Sequence, residues 1–248
     1  MEGLEKIGNP LAIAEEYYNE GADEIILQDC VASLYKKNNL EDIVENFSKK
    51  IFIPLTIGGG IRSLENVFEI LNKGADRVSV NSYLFENKNF INQVVNVFGS
   101  TTICTNIETQ FIDGKFFVYK DFGRNNTNFE LTDWIKFLQD CGIGEIIITS
   151  IRKEGTQSGF DMVLLEKIYK EIKVPLLIHG GAGCREHILD ISKIEIVSGV
   201  VLSSVLHNCK KINKNKDENK FNYDPGNCLK ISDLKNFLKK KHIQINSS

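Results

Sequence analysis

Two stretches of this chain recur at one common spacing, and no other feature narrows the possible folds as far. Gly21-Ala22-Asp23-Glu24-Ile25-Ile26-Leu27 returns as Gly142-Ile143-Gly144-Glu145-Ile146-Ile147-Ile148. Ile53-Pro54-Leu55-Thr56-Ile57-Gly58-Gly59-Gly60 returns as Val174-Pro175-Leu176-Leu177-Ile178-His179-Gly180-Gly181. Both copies are displaced by 121 positions, about half of the 248-residue chain. A shared offset of that size indicates two similar half-structures related by a pseudo-twofold axis.

Periodicity shows what each half contains. Short runs rich in Ile and Val predict strands over residues 24–29, 52–57, 77–81, 102–108, 145–149, 175–179 and 197–202. Runs that are apolar almost throughout suit a parallel sheet buried on both faces. Between them lie helical patterns with end signals. Asn9 caps a helix that begins at Pro10, carries Leu11, Ala14 and Tyr18 on one face and ends at Gly21. Ser63 starts another, with Val67, Ile70 and Leu71 inward and Gly74 at its close. Further helices are predicted over 39–49, 88–98, 131–141, 162–172, 185–191 and 232–241. Alternation of strand and helix means βαβ units. An open doubly wound sheet would share the alternation but leave the equal offsets unexplained. The expected fold is therefore an α/β (β/α)₈ TIM barrel built from two half-barrels, one domain spanning residues 1–248, a usual length for that fold.

Composition removes several function classes. A net charge of −3 gives no electrostatic reason to bind nucleic acid or an anionic membrane, so any anion must be held by local geometry. No apolar run approaches a membrane span, and Met1-Glu2-Gly3-Leu4-Glu5-Lys6 lacks the pattern of a signal peptide, which points to the cytoplasm. Cys30, Cys104, Cys141, Cys184, Cys209 and Cys228 are scattered without a C-x-x-C pair or zinc spacing. They are read as reduced thiols, with no metal and no cofactor expected. Residues 208–230, rich in Asn and Lys, are read as a solvated loop inserted before the last helix rather than a nucleic-acid patch.

Candidate chemistry gathers at strand ends. Gly58-Gly59-Gly60 follows a strand and leads to the helix at Ser63, so backbone amides there can cradle a phosphate. Gly180-Gly181 repeats the arrangement. Ser203-Ser204 and Asn81-Ser82 follow strands in the second and first halves, and together these positions predict two anion sites at one mouth. The expected ligand is an elongated small molecule with two phosphates. Asp29 and Glu108 fall at the same C-terminal ends, where a carboxyl can act as general acid or base. The alternative is that Asp29 caps a loop and Glu108 pairs with a lysine. Glu24, Arg77 and Glu145 lie at the opposite ends, and spacing alone favours ordinary solvent-facing strand starts for them.

Ile53-Pro54-Leu55-Thr56-Ile57-Gly58-Gly59-Gly60-Ile61-Arg62-Ser63, Gly74-Ala75-Asp76-Arg77-Val78-Ser79-Val80-Asn81, Glu145-Ile146-Ile147-Ile148-Thr149-Ser150, Glu154-Gly155-Thr156 and Ser204-Val205-Leu206-His207 occur in one order. In that order they resemble the HisF family, the cyclase subunits of imidazole glycerol-phosphate synthase. The resemblance runs from about Gly8 to the last helix, interrupted by the 208–230 insertion. It implies a barrel of the ribulose-phosphate-binding type. It also implies a heterodimer with a HisH-like glutaminase docked on the barrel floor, whose ammonia crosses the barrel to a bis-phosphorylated ligand at the mouth. Lyase and cyclase chemistry there would yield imidazole glycerol phosphate and an aminoimidazole ribotide. Implied phosphate contacts are Gly60, Asn81 and Ser82 on one side and Gly155, Gly181, Ser203 and Ser204 on the other. Glu24, Arg77 and Glu145 become an implied ammonia gate, and Asp76 an implied partner contact.

Departures from the family pattern are equally specific. Nothing before Gly8 matches the strand that carries the family's first catalytic aspartate and a lysine, so an eighth strand, the first in order, is expected to be missing. Glu108 stands where the family has its second catalytic aspartate, one methylene longer, and Arg152-Lys153-Glu154-Gly155-Thr156 replaces Asp-Arg-Asp-Gly-Thr. Ala32-Ser33-Leu34-Tyr35 and Ile107-Glu108 resemble a divergent HisF branch. That branch works with a HisH-like glutaminase and an ATP-dependent amidotransferase to amidinate sugars of bacterial surface glycans. The expected function is thus a HisF-type subunit of that branch. The rival readings are a histidine-pathway cyclase lacking its start, and a non-catalytic docking or phosphate-binding barrel.

Overall fold

A computed structural model describes residues 7–29, 41–215 and 227–245. In chain order the elements are α1 (Pro10–Asn19), β1 (Ile25–Gln28), α2 (Glu41–Ser48), β2 (Leu55–Gly58), α3 (Leu64–Asn72), β3 (Arg77–Ser79) and α4 (Phe90–Phe98). Then come β4 (Ile103–Ile112), β5 (Lys115–Lys120), β6 (Asn125–Glu130), α5 (Leu131–Asp140), β7 (Glu145–Ser150) and α6 (Met162–Ile168). The chain continues through β8 (Leu176–His179), α7 (Arg185–Ile191), β9 (Gly199–Val201), α8 (Ser204–Asn215) and α9 (Ile231–Lys240).

Helix starts follow the caps read from the sequence. The Asn9 side chain accepts from the amides of Leu11 and Ala12 ahead of Pro10, and Ser63 Oγ accepts from Asn66 N at 3.1 Å. Asp161 serves α6 in the same way, accepting from Leu164 N at 3.2 Å.

Seven strands pair in parallel in the order β1-β2-β3-β4-β7-β8-β9, with helices between them. This is (β/α)₈ barrel architecture, of which the described residues supply seven parallel strands. Register divides the side chains into two sets, because in-register neighbours point to the same side of a sheet. One set, Leu55, Ile57, Val78, Ile103, Ile107, Ile146, Ile148, Leu176 and Ile178, is buried beneath the helices. Val67 and Ile70 of α3, Ile91 and Val94 of α4, and Ile135 and Leu138 of α5 pack into the same core. The other set runs along the barrel interior and is largely polar: Thr56, Arg77, Ser79, Cys104, Asn106, Glu108, Glu145, Thr149 and His179. The strands are therefore not uniformly apolar; their interior face carries the chemistry.

Edge strands differ from central ones. β2 is buried throughout, whereas β9 is half-buried at every position. Outside the two ends of the row, β1 and β9, the helices already meet. Tyr17 Oη lies 2.8 Å from His207 Nδ1, Glu20 Oε2 accepts from Ile231 N at 3.0 Å, and Lys235 pairs with Asp23 at 2.7 Å.

Three features correct the sequence reading. β4 runs past its pairing with β7 and folds back as an antiparallel hairpin, β4-β5-β6, where no strands were expected. Its two-residue turn is Asp113-Gly114, both at positive φ (48° and 86°). The segment expected as a loop from 208 is helical through Asn215 and irregular over 227–230; residues 216–226 lie outside the described residues, as do Cys30 and Ala32-Ser33-Leu34-Tyr35. Cys209 and Cys228 are joined by a disulfide, so these two are not the reduced thiols expected; Cys104, Cys141 and Cys184 are free. Among the described residues no helix is long and apolar enough to cross a membrane.

Candidate functional site

At the C-terminal ends of β2, β3 and β4 a pocket opens between Gly59, Gly60 and Arg62, Asn81 and Ser82, and Asn106 and Glu108, roofed by Phe122 from the hairpin. Gly59 and Gly60 both sit at positive φ (112° and 68°). A Cβ on Gly59 would fall 2.5 Å from the Asp29 carbonyl oxygen, so the close turn requires glycine. Gly58 has ordinary φ, and its missing side chain leaves space for the Gln28 amide inside the barrel.

The pocket contains polar atoms with unmet bonding capacity. Asn81 Nδ2 donates to Glu108 Oε2 at 3.3 Å, while Asn81 Oδ1 and Arg62 Nε are buried without partners. Buried orphans of this kind are uncommon, and they fit a site built for a polar ligand. The Arg62 guanidinium is held at 2.7 Å from Glu86 and lies over the Tyr83 ring. Ser82 Oγ accepts from Asp121 N at 3.1 Å, tying the hairpin to the cradle.

Glu108, on the pocket wall, is strongly altered by its surroundings. Burial pushes its carboxyl up to about 7, against the pull of hydrogen bonds from the Gly123 and Phe122 amides and with a further push from Glu154. A carboxyl titrating near neutrality can give or take a proton in ordinary buffer. Its side-chain partner is Asn81, and among the described residues no lysine pairs with it. Asp29 sits elsewhere, at the rim after β1, where its backbone amide donates to Gly58 O at 2.9 Å and its Cβ backs Gly59. It does not line the pocket beside Glu108.

The second glycine set lies across the mouth on the loops after β7, β8 and β9. Gly155 (φ 74°) and Gly181 (φ 104°) again hold positive φ. A Cβ on Gly181 would fall 2.2 Å from Gly159 O, while Gly159 N donates to Gly181 O at 2.8 Å, so two loops are knitted at this point. Ser203 precedes α8, which starts at Ser204, and its carbonyl accepts from Leu206 N and His207 N.

Sequence reasoning missed an interior chain beside Glu108. Thr149 Oγ1 donates to Asn106 Oδ1 at 2.8 Å and lies 3.1 Å from His179 Nδ1. The available signal was the repeat itself, which sets His179 where the first half has Gly58.

At the opposite end Arg77 meets two acids, Glu24 at 2.8 Å and Glu145 at 3.5 Å. These strand starts are joined, not separate surface charges as spacing alone suggested. Burial raises the Glu145 pKa, Arg77 opposes that shift and Glu24 adds to it. Asp76 is used locally: its Oδ2 accepts from Leu55 N at 2.8 Å, fixing the start of β2. Above this cluster Ser79 and Cys104 sit in register, and burial pushes the Cys104 thiol up to about 12.

Known proteins resemble this chain over most of its length. The family described as "Histidine biosynthesis protein" matches residues 2–211. The chain is 38% identical to imidazole glycerol phosphate synthase subunit HisF of an Exiguobacterium species, over 84% of this chain and 80% of that one. The protein of the same name from Legionella pneumophila is 40% identical over 74% of this chain and 87% of its own. That of Sulfurisphaera tokodaii is 34% identical over 98% and 89%. With so much of each relative covered, and with the barrel and its glycine turns in place, the chain belongs to the HisF family of histidine biosynthesis proteins.

Proposed function

We propose that this chain is the ammonia-using subunit of a glutamine amidotransferase of the imidazole glycerol-phosphate synthase type. It holds a bis-phosphorylated ligand between its two glycine cradles, with Gly60, Asn81 and Ser82 at one phosphate and Gly155, Gly181, Ser203 and Ser204 at the other. Glu108 acts as the acid–base group. The observation that carries this reading is the Glu108 carboxyl, buried in the first cradle and titrating near neutrality. A HisH-like glutaminase docks on the floor, with Asp76 at the contact, and ammonia enters past Glu24, Arg77 and Glu145. Two negative charges facing one guanidinium suit a gate that must open for a small neutral molecule.

The purified chain, given the family's bis-phosphorylated ligand and ammonium salts near neutral pH, should release imidazole glycerol phosphate, and glutamine should replace ammonium once a HisH-like glutaminase is added. No product with either nitrogen source would sink the reading.

A finer assignment rests on Glu108 standing where the family has aspartate. A carboxyl displaced by about 1 Å can cost on the order of 100-fold in rate. This favours the branch in which nitrogen from the pair passes to an ATP-dependent amidotransferase acting on sugars of surface glycans. Asp29 then positions the rim rather than sharing the proton transfers. Rescue of a histidine auxotroph lacking its HisF would overturn the finer assignment and leave the broader one intact.

A further inference from the structure

We propose that His179 is a second acid–base residue of the mouth, accepting a proton through Nε2 from the nitrogen nucleophile. The inference rests on the function proposed above and adds a residue that the family motifs do not supply. Its basis is the hydrogen-bond chain at the ends of β4, β7 and β8. Thr149 has one hydroxyl proton, and the 2.8 Å contact gives it to Asn106 Oδ1. The hydroxyl oxygen then has only lone pairs to offer His179 Nδ1, 3.1 Å away, so Nδ1 carries the ring proton. Nε2 is left as an acceptor and makes no hydrogen bond among the described residues. Register fixes the facing: Glu108 pairs with Thr149, and Thr149 with His179, so all three side chains share the interior face.

The charged group acting on the ring is Glu154, from the loop after β7; Glu108 stands two strands away, with Thr149 between, and on the other side β9 presents Val201. Burial lowers the imidazole pKa, and Glu154 opposes that shift. Burial thus favours the free base of the ring, whereas burial of Glu108 favours its acid form. Unlike groups paired in this way divide the work. Ammonia adds to an unsaturated carbon of the ligand, forming a C–N bond, and the carbon's π pair moves to its heteroatom. The new nitrogen, now positively charged, gives one proton to Nε2, and Glu108 gives one to the heteroatom. A proton then returns from imidazolium to carboxylate through solvent, leaving an N–H added across the double bond.

The test combines kinetics with a measurement independent of turnover. In the intact protein the rate at constant free ammonia should follow a bell in pH, rising as His179 loses its proton and falling as Glu108 loses its own. His179→Asn should lower the rate on the order of 100-fold and abolish the acidic limb, while Thr149→Val should weaken that limb without removing the ring. Ring ¹⁵N shifts of wild type at neutral pH should report the tautomer with hydrogen on Nδ1. An acidic limb that persists in folded His179→Asn, or a ring with its proton on Nε2, would overturn the inference. Absence of product from wild type would instead defeat the function proposed above, whatever the tautomer.

Discussion

The two glycine cradles share their backbone and differ in what surrounds them. Gly59-Gly60 and Gly180-Gly181, 121 positions apart, hold four positive φ angles and lead from strand ends into helices. The first is roofed by the β5-β6 hairpin, which lends Phe122 to its wall and the Asp121 amide to Ser82. The second has no hairpin among the described residues. Beside it Gln157 accepts from Asn227 N at 2.9 Å, bringing the far side of the disulfide-closed segment to the rim. The same turn thus recurs because backbone sterics and strand ends dictate it, whereas the surroundings come from chain inserted after one strand or another. Burial of Glu108 is a product of the first set of surroundings, and the tethered rim of the second.

Several outcomes would sharpen or break that contrast. The largest effect is expected for Glu108→Gln, which should lower turnover on the order of 10²–10⁴-fold. Glu154→Gln, the neighbouring carboxyl from the second half, should cost much less, and equal losses would erase the distinction between halves. Next is a pH effect on stability. Folding raises the Glu108 pKa from 4.5 to about 7, so the folded state binds this proton more tightly than the unfolded one. Stability from this group is greatest below the unfolded value and declines as pH rises toward and through 7, by roughly 3 kcal/mol in total. Urea unfolding at several pH values should show that decline in wild type and lose it in Glu108→Gln.

Glycine replacements come third. Gly181→Ala and Gly59→Ala each put a methyl into a backbone oxygen at positive φ and should destabilise by about 1–3 kcal/mol, Gly181→Ala the more because its clash is closer. A neutral substitution at either site would refute the steric account of that turn. The smallest difference is between the two serines. Ser82→Ala should cost about 1 kcal/mol of stability through the lost Asp121 bond, Ser203→Ala almost none, while both should weaken binding of the bis-phosphorylated ligand.

Much of this was legible in the sequence for physical reasons. Caps at Asn9 and Ser63, the glycine turns and the equal offsets reflect local sterics or the repeat, and each resides in a few adjacent residues. Long-range pairing was harder to read. The hairpin was signalled by Asp113-Gly114 between Ile112 and Lys115, but Asn-rich β6 does not alternate and hides its partner. The apolar runs concealed a polar interior, because one Asn, Thr or His at alternate positions barely alters a run's mean character. The floor cluster joins residues 53 and 68 positions apart, which only the curled sheet brings together. The disulfide spans 19 positions in a composition that argued for solvated loop, with no spacing motif to mark it.

That disulfide also changes the connectivity of the molecule. Backbone and bridge together make a closed covalent ring from Cys209 to Cys228, and α9 is attached to the barrel through it. One peptide-bond cleavage anywhere within the ring leaves a single covalent molecule, which separates into two fragments only after reduction. A protease digest run with and without a dithiol would therefore register the bridge directly. The tail beyond Cys228, including α9 with Leu234 and Leu238 in the core, would survive such a nick in place.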